Sequence, residues 1–353
     1  MMLRIRSRRT ARLAFAAVFC SCYGIAAAQD SATLNLRAQG ETRNTADGAS
    51  VRSFELAELR WQLNAPWRNA VRGVFTARKD SGDDGRLHVN ELSLERPLDA
   101  GMLPAGFLTI GKKVMSWDVG YAFRPLDVVQ QEDRRALNPV TLDGVPMLAW
   151  EAFDASRAVT VVWSNPGNGR KAQPRDDGSL AVRLFRQNGA RDEYAVLRLS
   201  GRNGLEGGAS FSQVVAEEME LHASVLFQQR HDEWLMSRSA APRWQRHQGG
   251  GKALAGFTWT NARKFSVLGE AWLDRSAGPA QERNVLLRAA QNDGDFDVFS
   301  DVLWQSQNGS RISSVGMSWK PGPWLLSASW RHYGGLAGTL VRDLGIVTLQ
   351  YAF

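Results

Sequence analysis

The sequence predicts an all-β fold, a single transmembrane antiparallel β-barrel, and three observations carry that expectation. Segments of about ten residues alternate strictly between apolar and polar side chains, the length and pattern a strand needs to cross a bilayer at a tilt. Thirteen tryptophans are present, more than a soluble two-sheet core of this size would bury, whereas interfacial aromatic girdles use them freely. The chain ends in GIVTLQYAF, an alternating strand with an aromatic last residue.

In chain order, residues 1–28 read first, as a cleaved secretory signal. MMLRIRSRRTAR holds five arginines and no acid, LAFAAVFCSCYGIAAA is a short apolar run, and Ala26-Ala27-Ala28 offers small residues for cleavage before Gln29. Arg8-Arg9 resembles a twin-arginine pair, but Arg12 stands where an apolar residue belongs, so export as an unfolded chain is expected. Losing those five arginines takes the net charge from +7 to +2, which removes the basis for a nucleic-acid partner. Cys20 and Cys22 leave as well, so residues 29–353 contain no thiol for a disulfide or a cysteine metal site. Nothing before either cysteine has the small-residue pattern of a lipidation signal. The remaining 29–353 form one domain, with no apolar run of ~20 residues that would make a transmembrane helix.

The strands follow. Ala57, Leu59, Trp61 and Leu63 share a face against Glu58, Arg60 and Gln62. Val71, Gly73, Phe75 and Ala77 oppose Arg72, Thr76 and Arg78. Further on, ALAGFTWTN puts Ala253, Ala255, Phe257 and Trp259 together, and WLLSASWRH sets Trp324, Leu326, Ala328 and Trp330 against Ser327, Ser329 and Arg331. A two-sheet sandwich also alternates, but the tryptophans and the C-terminus favour a barrel with its apolar face on lipid and its polar face on a lumen. Long or polar connections (GETRNTADGAS, KDSGDDGR, residues 114–146, SNPGNGRKAQPRDDG, Arg230 to Gly251, DRSAGPAQER) alternate with short ones (NAPWRN, DASR, QNGARD, VAEE, TNARK, NDGD, KPGP). Both termini then lie on the short-turn side. Counting NVLLRAAQ as a strand gives eighteen; merging weak segments gives sixteen.

One connection departs from the rest. Val114 to Pro146, the third on the long-loop side, mixes Trp117, Tyr121, Phe123, Leu126, Val128 and Val129 with dense charge. Apolar groups need a wall and charged groups need water, and a barrel lumen supplies both. The segment is therefore expected to fold inward and narrow the pore, with Trp117, Asp118, Arg124, Asp127, Glu132, Asp133, Arg134 and Arg135 at the constriction. Arg60, Arg72, Arg78, Arg183, Arg198 and Arg331 are expected in the lumen, either as a basic ladder facing the acidic side of that segment or as ordinary charge balance.

The run GKKVMSWDVGYAFRPLDVVQQEDRRALNPVTLDGVPML resembles a segment of porin-like bacterial outer-membrane barrels of the DUF1302-like group. In these a strand ending Gly-Arg/Lys-x-x-x-x-Trp is followed by Phe-x-Pro-x-Asp and later by Pro before the next strand. The matching positions are Gly111, Lys112, Trp117, Phe123, Pro125, Asp127 and Pro146. A more distant likeness is to polysaccharide-export barrels. The resemblance is specific over about forty residues; it implies an outer-membrane barrel and says little of cargo. The C-terminal strand, with Val347, Leu349, Tyr351 and Phe353 on one face, likewise resembles the signal read by the barrel-assembly machinery, and Tyr351 and Phe353 carry it.

The expected function is passive passage of small hydrophilic or anionic solutes, with outer-membrane lipid and the assembly machinery as partners, no cofactor, and oligomeric state open. The alternatives are an accessory barrel of a secretion or polysaccharide-export system and, behind it, an outer-membrane hydrolase. Against catalysis, His88, His222, His231, His247 and His332 show no metal-ligand spacing and no nucleophile motif accompanies them. Gly249 to Gly251 precede no predicted helix, and Glu217-Glu218 fall in a turn, so neither makes a phosphate cradle or a paired-carboxylate site.

Overall fold

The computed structural model describes residues 2–4, 30–65, 69–99, 101, 104–137, 141–166, 177–235, 243–277 and 281–353. Eighteen strands form one closed sheet. They are β1 (Ser31–Thr45), β2 (Gly48–Ala65), β3 (Asn69–Asp80), β4 (Arg86–Leu98), β5 (Gly106–Lys113) and β6 (Val145–Phe153). Next come β7 (Arg157–Ser164), β8 (Ser179–Asn188), β9 (Arg191–Ser200), β10 (Gly204–Ala216), β11 (Met219–Gln228) and β12 (Gly251–Thr260). The last six are β13 (Phe265–Asp274), β14 (Arg283–Asp293), β15 (Phe296–Gln305), β16 (Ser310–Trp319), β17 (Trp324–Gly334) and β18 (Asp343–Ala352). Each pairs antiparallel with its sequence neighbours, and β18 pairs back onto β1 from Asn35↔Ala352 to Asn44↔Asp343, so the barrel has no free edge. A three-residue strand, Met2–Arg4, lies against Arg86–His88; residues 5–28 of the expected signal lie outside the described residues.

The alternation read from the sequence sets the faces. Leu199 on β9 is 60 % exposed, while Arg198 and Ser200 beside it are 6 % exposed. Val347 on β18 is exposed between buried Ile346 and Thr348. Leu180, Leu197, Leu205, Val285, Leu287, Val315, Met317 and Leu349 extend the exposed apolar band around the barrel. Such a continuous surface suits hydrocarbon, not water. Aromatic rings bound it. At the short-turn end stand Trp61 with Phe75 (centroids 6.2 Å apart), Phe296 with Trp319 (5.7 Å) and Trp324 with Tyr351 (4.6 Å), and Phe353 packs on Tyr351 at 4.5 Å. Toward the long-loop end stand Trp163, Phe227, Trp304 and Trp330, all exposed. Among the described residues no helix is long and apolar enough to cross a membrane.

The structure bears out the favoured strand count and corrects the sequence reading in three places. NVLLRAAQ lies within β14, which settles the count at eighteen and excludes sixteen. GETRNTADGAS is no loop: β1 and β2 run on as a hairpin to a turn at Ala46-Asp47, where Gly48 takes φ 129° and its carbonyl accepts from Thr45 Oγ1 at 2.9 Å. The Arg230 to Gly251 connection carries its own hairpin, Arg230–Leu235 against Arg243–Gln248. Finally, the inward face is not uniformly polar, because Val145, Met147, Ala149, Val162, Ala181, Val196 and Leu226 on β6 to β9 and β11 point inward and are buried together. They have a partner to pack against, described below.

A charge at mid-height on the outward face tests the membrane placement. Leu287→Arg is expected to lower the unfolding free energy in lipid by about 2 to 4 kcal/mol. An arginine at inward Ser329 should cost much less in the same denaturant titration.

Candidate functional site

The segment of residues 114–144 joins β5 to β6 and is held at several points around the barrel wall. It leaves β5 beside Gly111, where φ is 130° and a Cβ would sit 2.3 Å from the Leu92 carbonyl, so only glycine lets β5 run this close to β4. Trp117, Leu126 and Val129 then close onto the inward apolar patch of β6 to β9 and β11. Leu126 is fully buried, and burying a leucine or tryptophan of this kind stabilises by roughly 2 to 3 kcal/mol, enough to fix a chain reversal.

Two aspartates clasp the backbone of this turn. Asp127 Oδ1 accepts from the Trp117 N–H at 2.6 Å and the Asp118 N–H at 3.0 Å. Asp118 accepts from the N–H groups of Leu126 at 2.6 Å and Val119 at 2.8 Å, and from the Ser224 hydroxyl of β11 at 2.9 Å. Arg124 lies over the pair, its Nε 3.0 Å from Asp127 Oδ2 in an ion pair too oblique for a hydrogen bond, and it reaches Glu132 at 3.3 Å. Burial pushes the carboxyls of Asp118 and Asp127 above the ordinary aspartate value, against their donors and Arg124, and pulls Arg124 below the ordinary arginine value.

Beyond the clasp the segment contacts strands progressively further round. Glu270 of β13, 2 % exposed, accepts from the Tyr121 N–H at 2.5 Å and the Ala122 N–H at 2.8 Å, with His222 Nε2 of β11 at 3.1 Å. Phe123 stacks on Trp272 at 5.6 Å. Arg135 pairs with Asp301 of β15 at 3.0 Å, a carboxylate shared with Arg288 of β14 at 3.2 Å, and Arg331 of β17 donates to the Arg135 carbonyl. On the return, Thr141 donates to Glu58 of β2, and Asn90 of β4 donates to the carbonyls of Thr141 and Leu142 at 3.2 and 3.3 Å. Asp143 lies 2.6 Å from His88 and also pairs with Lys112; burial pushes its carboxyl up, but those two partners outweigh it and hold it below the ordinary value.

The eight residues expected at a constriction divide into two sets. Trp117, Asp118, Arg124 and Asp127 are buried in the segment's own interior and against the wall. Asp133 and Arg134 are exposed, Glu132 is half-buried between Arg124 and Arg134, and Arg135 is tied to Asp301. The matched motif positions Trp117, Phe123, Pro125 and Asp127 all lie in this pinned part.

The six arginines fall into three groups. Arg60 and Arg72 are diagonal neighbours on β2 and β3 and Arg78 lies further along β3 opposite Leu56, each about half exposed and each near an acid: Glu58 at 2.5 Å, Glu95 at 3.8 Å and Asp80 at 2.8 Å. Arg183 of β8 lies over the Tyr194 ring at 4.8 Å, and Arg198 of β9 is buried between Glu206 at 2.5 Å and Asp177 at 3.5 Å. Arg331 of β17 is occupied by Ser314 and the Arg135 carbonyl. Sequence reasoning missed Glu270, Asp301, Ser224 and His222. The signal available was an acid or histidine on the inward face of an otherwise apolar strand, as in SVLGEAWLD.

No family model and no curated sequence matches the chain. Solved structures do. OpdL of Pseudomonas aeruginosa is 11 % identical with a TM-score of 0.63, over 93 % of this chain and 99 % of that one. The outer membrane protein opdK of the same organism is 9 % identical with a TM-score of 0.64, over 92 % and 98 %. A triple mutant of the Rhodopseudomonas blastica porin is 10 % identical with a TM-score of 0.52, over 92 % and 100 %. At such identities the likeness is one of fold: the chain folds as a porin-type barrel. The likeness does not reach the narrower DUF1302-like grouping.

Two substitutions test the clasp. Asp127→Ala orphans the buried Trp117 and Asp118 N–H groups and leaves Arg124 to Glu132 and the Asp118 carbonyl, so it is expected to loosen the segment at about 1 to 3 kcal/mol for each orphaned donor, whereas Asp127→Asn keeps an acceptor for Trp117 and costs less. Trypsin cleavage after Arg134 and Arg135 in the folded barrel reads both. Because burial raises Asp118 and Asp127 in the folded state, they take up protons there at a higher pH than in the released chain. That contribution therefore grows as pH falls through their folded pKa values, and trypsin resistance should survive mild acidification.

Proposed function

We propose that this chain is an outer-membrane channel for the passive passage of small hydrophilic solutes, with the 114–144 segment lying across the lumen as its constriction. The observation that carries the reading is the span of that segment's contacts: Glu58, Ser224, Glu270, Asp301 and Arg331 belong to β2, β11, β13, β15 and β17, which lie around most of the wall. A surface loop has no reason to reach them all. The open path then runs between the exposed Asp133 and Arg134 and the wall of β1 to β3.

On that wall stand Arg60, Arg72 and Arg78, and they favour anionic solutes. Arg72 and Arg78 have partly exposed acid partners, and such pairs are worth only about 0 to 1 kcal/mol, so a passing carboxylate or phosphate displaces them at small cost, while Arg60 is itself half exposed above a buried Glu58. Tyr351 and Phe353, at the end of the strand that closes the barrel, suit recognition by the assembly machinery, and residues 1–28 suit export through a cleaved signal.

Single-channel recording in planar bilayers tests this reading. The expected result is a small, steady conductance that grows several-fold when residues 116–136 are deleted, and an anion preference that falls when Arg60, Arg72 and Arg78 are all replaced by glutamine. An inserted barrel that conducts nothing, or whose conductance ignores the deletion, would contradict it and favour an accessory role.

A further inference from the structure

The outward face of β8 to β11 carries a groove that the channel does not use. Its volume is about 480 Å³. Ala195, Ala209 and Ala223 form its floor, and Leu184, Phe211 and Val225 form its sides. The register explains the hollow. Leu184, Ala195, Ala209 and Val225 lie opposite one another across four strands, with Phe211 and Ala223 paired one step nearer the short turns. Two adjacent alanines between larger residues leave a depression in the lipid-facing wall.

The groove ends among arginines. Arg186 and Arg191 line it, and Arg157 lies directly opposite Arg186 on β7. All three are exposed and have the outward parity of Trp163, Leu184 and Leu199 on their strands. Two acids answer them: Glu193, paired with Arg191 at 3.1 Å, and exposed Asp154, which accepts from the Arg157 N–H at 2.9 Å; Arg191 also lies over the Phe211 ring at 4.8 Å. Arg191 adjoins the Gly189-Ala190 turn, at the same end of the barrel as the Trp319, Trp324 and Tyr351 rings. Apolar floor above, surplus positive charge at headgroup depth below: that is the order of parts in an amphiphile with a phosphate head.

We propose that this groove is a binding site for one glycerophospholipid of the leaflet at the short-turn side, its acyl chain on the alanine floor and its phosphate among Arg157, Arg186 and Arg191. Charge complementarity selects this occupant: an apolar segment of a second barrel would cover the floor but leave the surplus positive charge facing it. The inference rests on the outer-membrane reading above.

Native mass spectrometry of the detergent-solubilised, delipidated barrel tests it, with phosphatidylglycerol, phosphatidylcholine and lipopolysaccharide each added in turn. The expected result is one phosphatidylglycerol retained per barrel. Retention should be roughly fivefold weaker for each arginine changed in the series R191Q, R186Q/R191Q and R157Q/R186Q/R191Q. Ala209→Phe, which fills the floor without touching charge, should also abolish it. Phosphatidylcholine, whose headgroup is neutral overall, should be held more weakly. Equal retention by wild type and variants, or retention of lipopolysaccharide alone, would overturn the site. Conductance keeps the two readings apart: these outward substitutions should leave it unchanged, and a barrel that conducts but ignores them fails only the lipid site. A protein that never enters a bilayer fails the channel reading itself.

Discussion

An amide group surrounded by hydrocarbon has no water to bond, and leaving it unpaired costs several kcal/mol. Eighteen strands meet that constraint only because the last returns to the first. The ladder from Asn35↔Ala352 to Asn44↔Asp343 removes both edges of the sheet. Closure then divides every strand into a side that meets lipid and a side that does not, and the period of two in the sequence is read against that division. The tryptophans and phenylalanines near the strand ends sit at the borders of the band because an amphipathic ring is most stable where hydrocarbon meets water.

Closure also creates an interior too wide for side chains alone to fill, and the 114–144 segment packs against several of the strands that bound it. Its apolar residues would be unstable in a water-filled lumen, and so would the inward apolar patch on β6 to β9 and β11. Each covers the other. The charged residues are sorted by the same packing: Asp118, Arg124 and Asp127 hold the turn together, and Asp133 and Arg134 remain accessible. Further along, Glu270 holds the Tyr121 and Ala122 N–H groups beside the Phe123–Trp272 stack, and Asp301 holds Arg135 by an ion pair.

The barrel and its strand count were legible because alternation is local. Trp324 to Trp330 declare their face without knowledge of any other strand, and NVLLRAAQ fits the count by parity alone. The β1–β2 hairpin was not legible, since GETRNTADGAS is polar whether it is a loop or a strand rising above the membrane; what distinguishes them is cross-strand pairing such as Thr45 with Gly48. The long segment's special character was visible in its mix of Trp117, Leu126 and charge. Its internal roles were not. Asp127 and Arg124 look like pore charges in the sequence, and only the turn that brings Asp127 to the Trp117 N–H makes them a clasp. Glu270 and Asp301 could be seen as acids on an inward face, but their partners could not, since these lie 149 and 166 residues away.

The contact between Arg135 and the far wall is the account's most exposed commitment. Cysteines placed at Arg135 and Asp301, in a barrel otherwise free of thiols, can be challenged with a short bismaleimide in intact outer membranes, and the product resolved by its altered mobility. Efficient cross-linking of that pair, and little for cysteines at Arg135 and outward Leu287, is the predicted result. If the 135 position instead reacts freely with bulky external thiol reagents and never couples to 301, the segment does not cross the barrel.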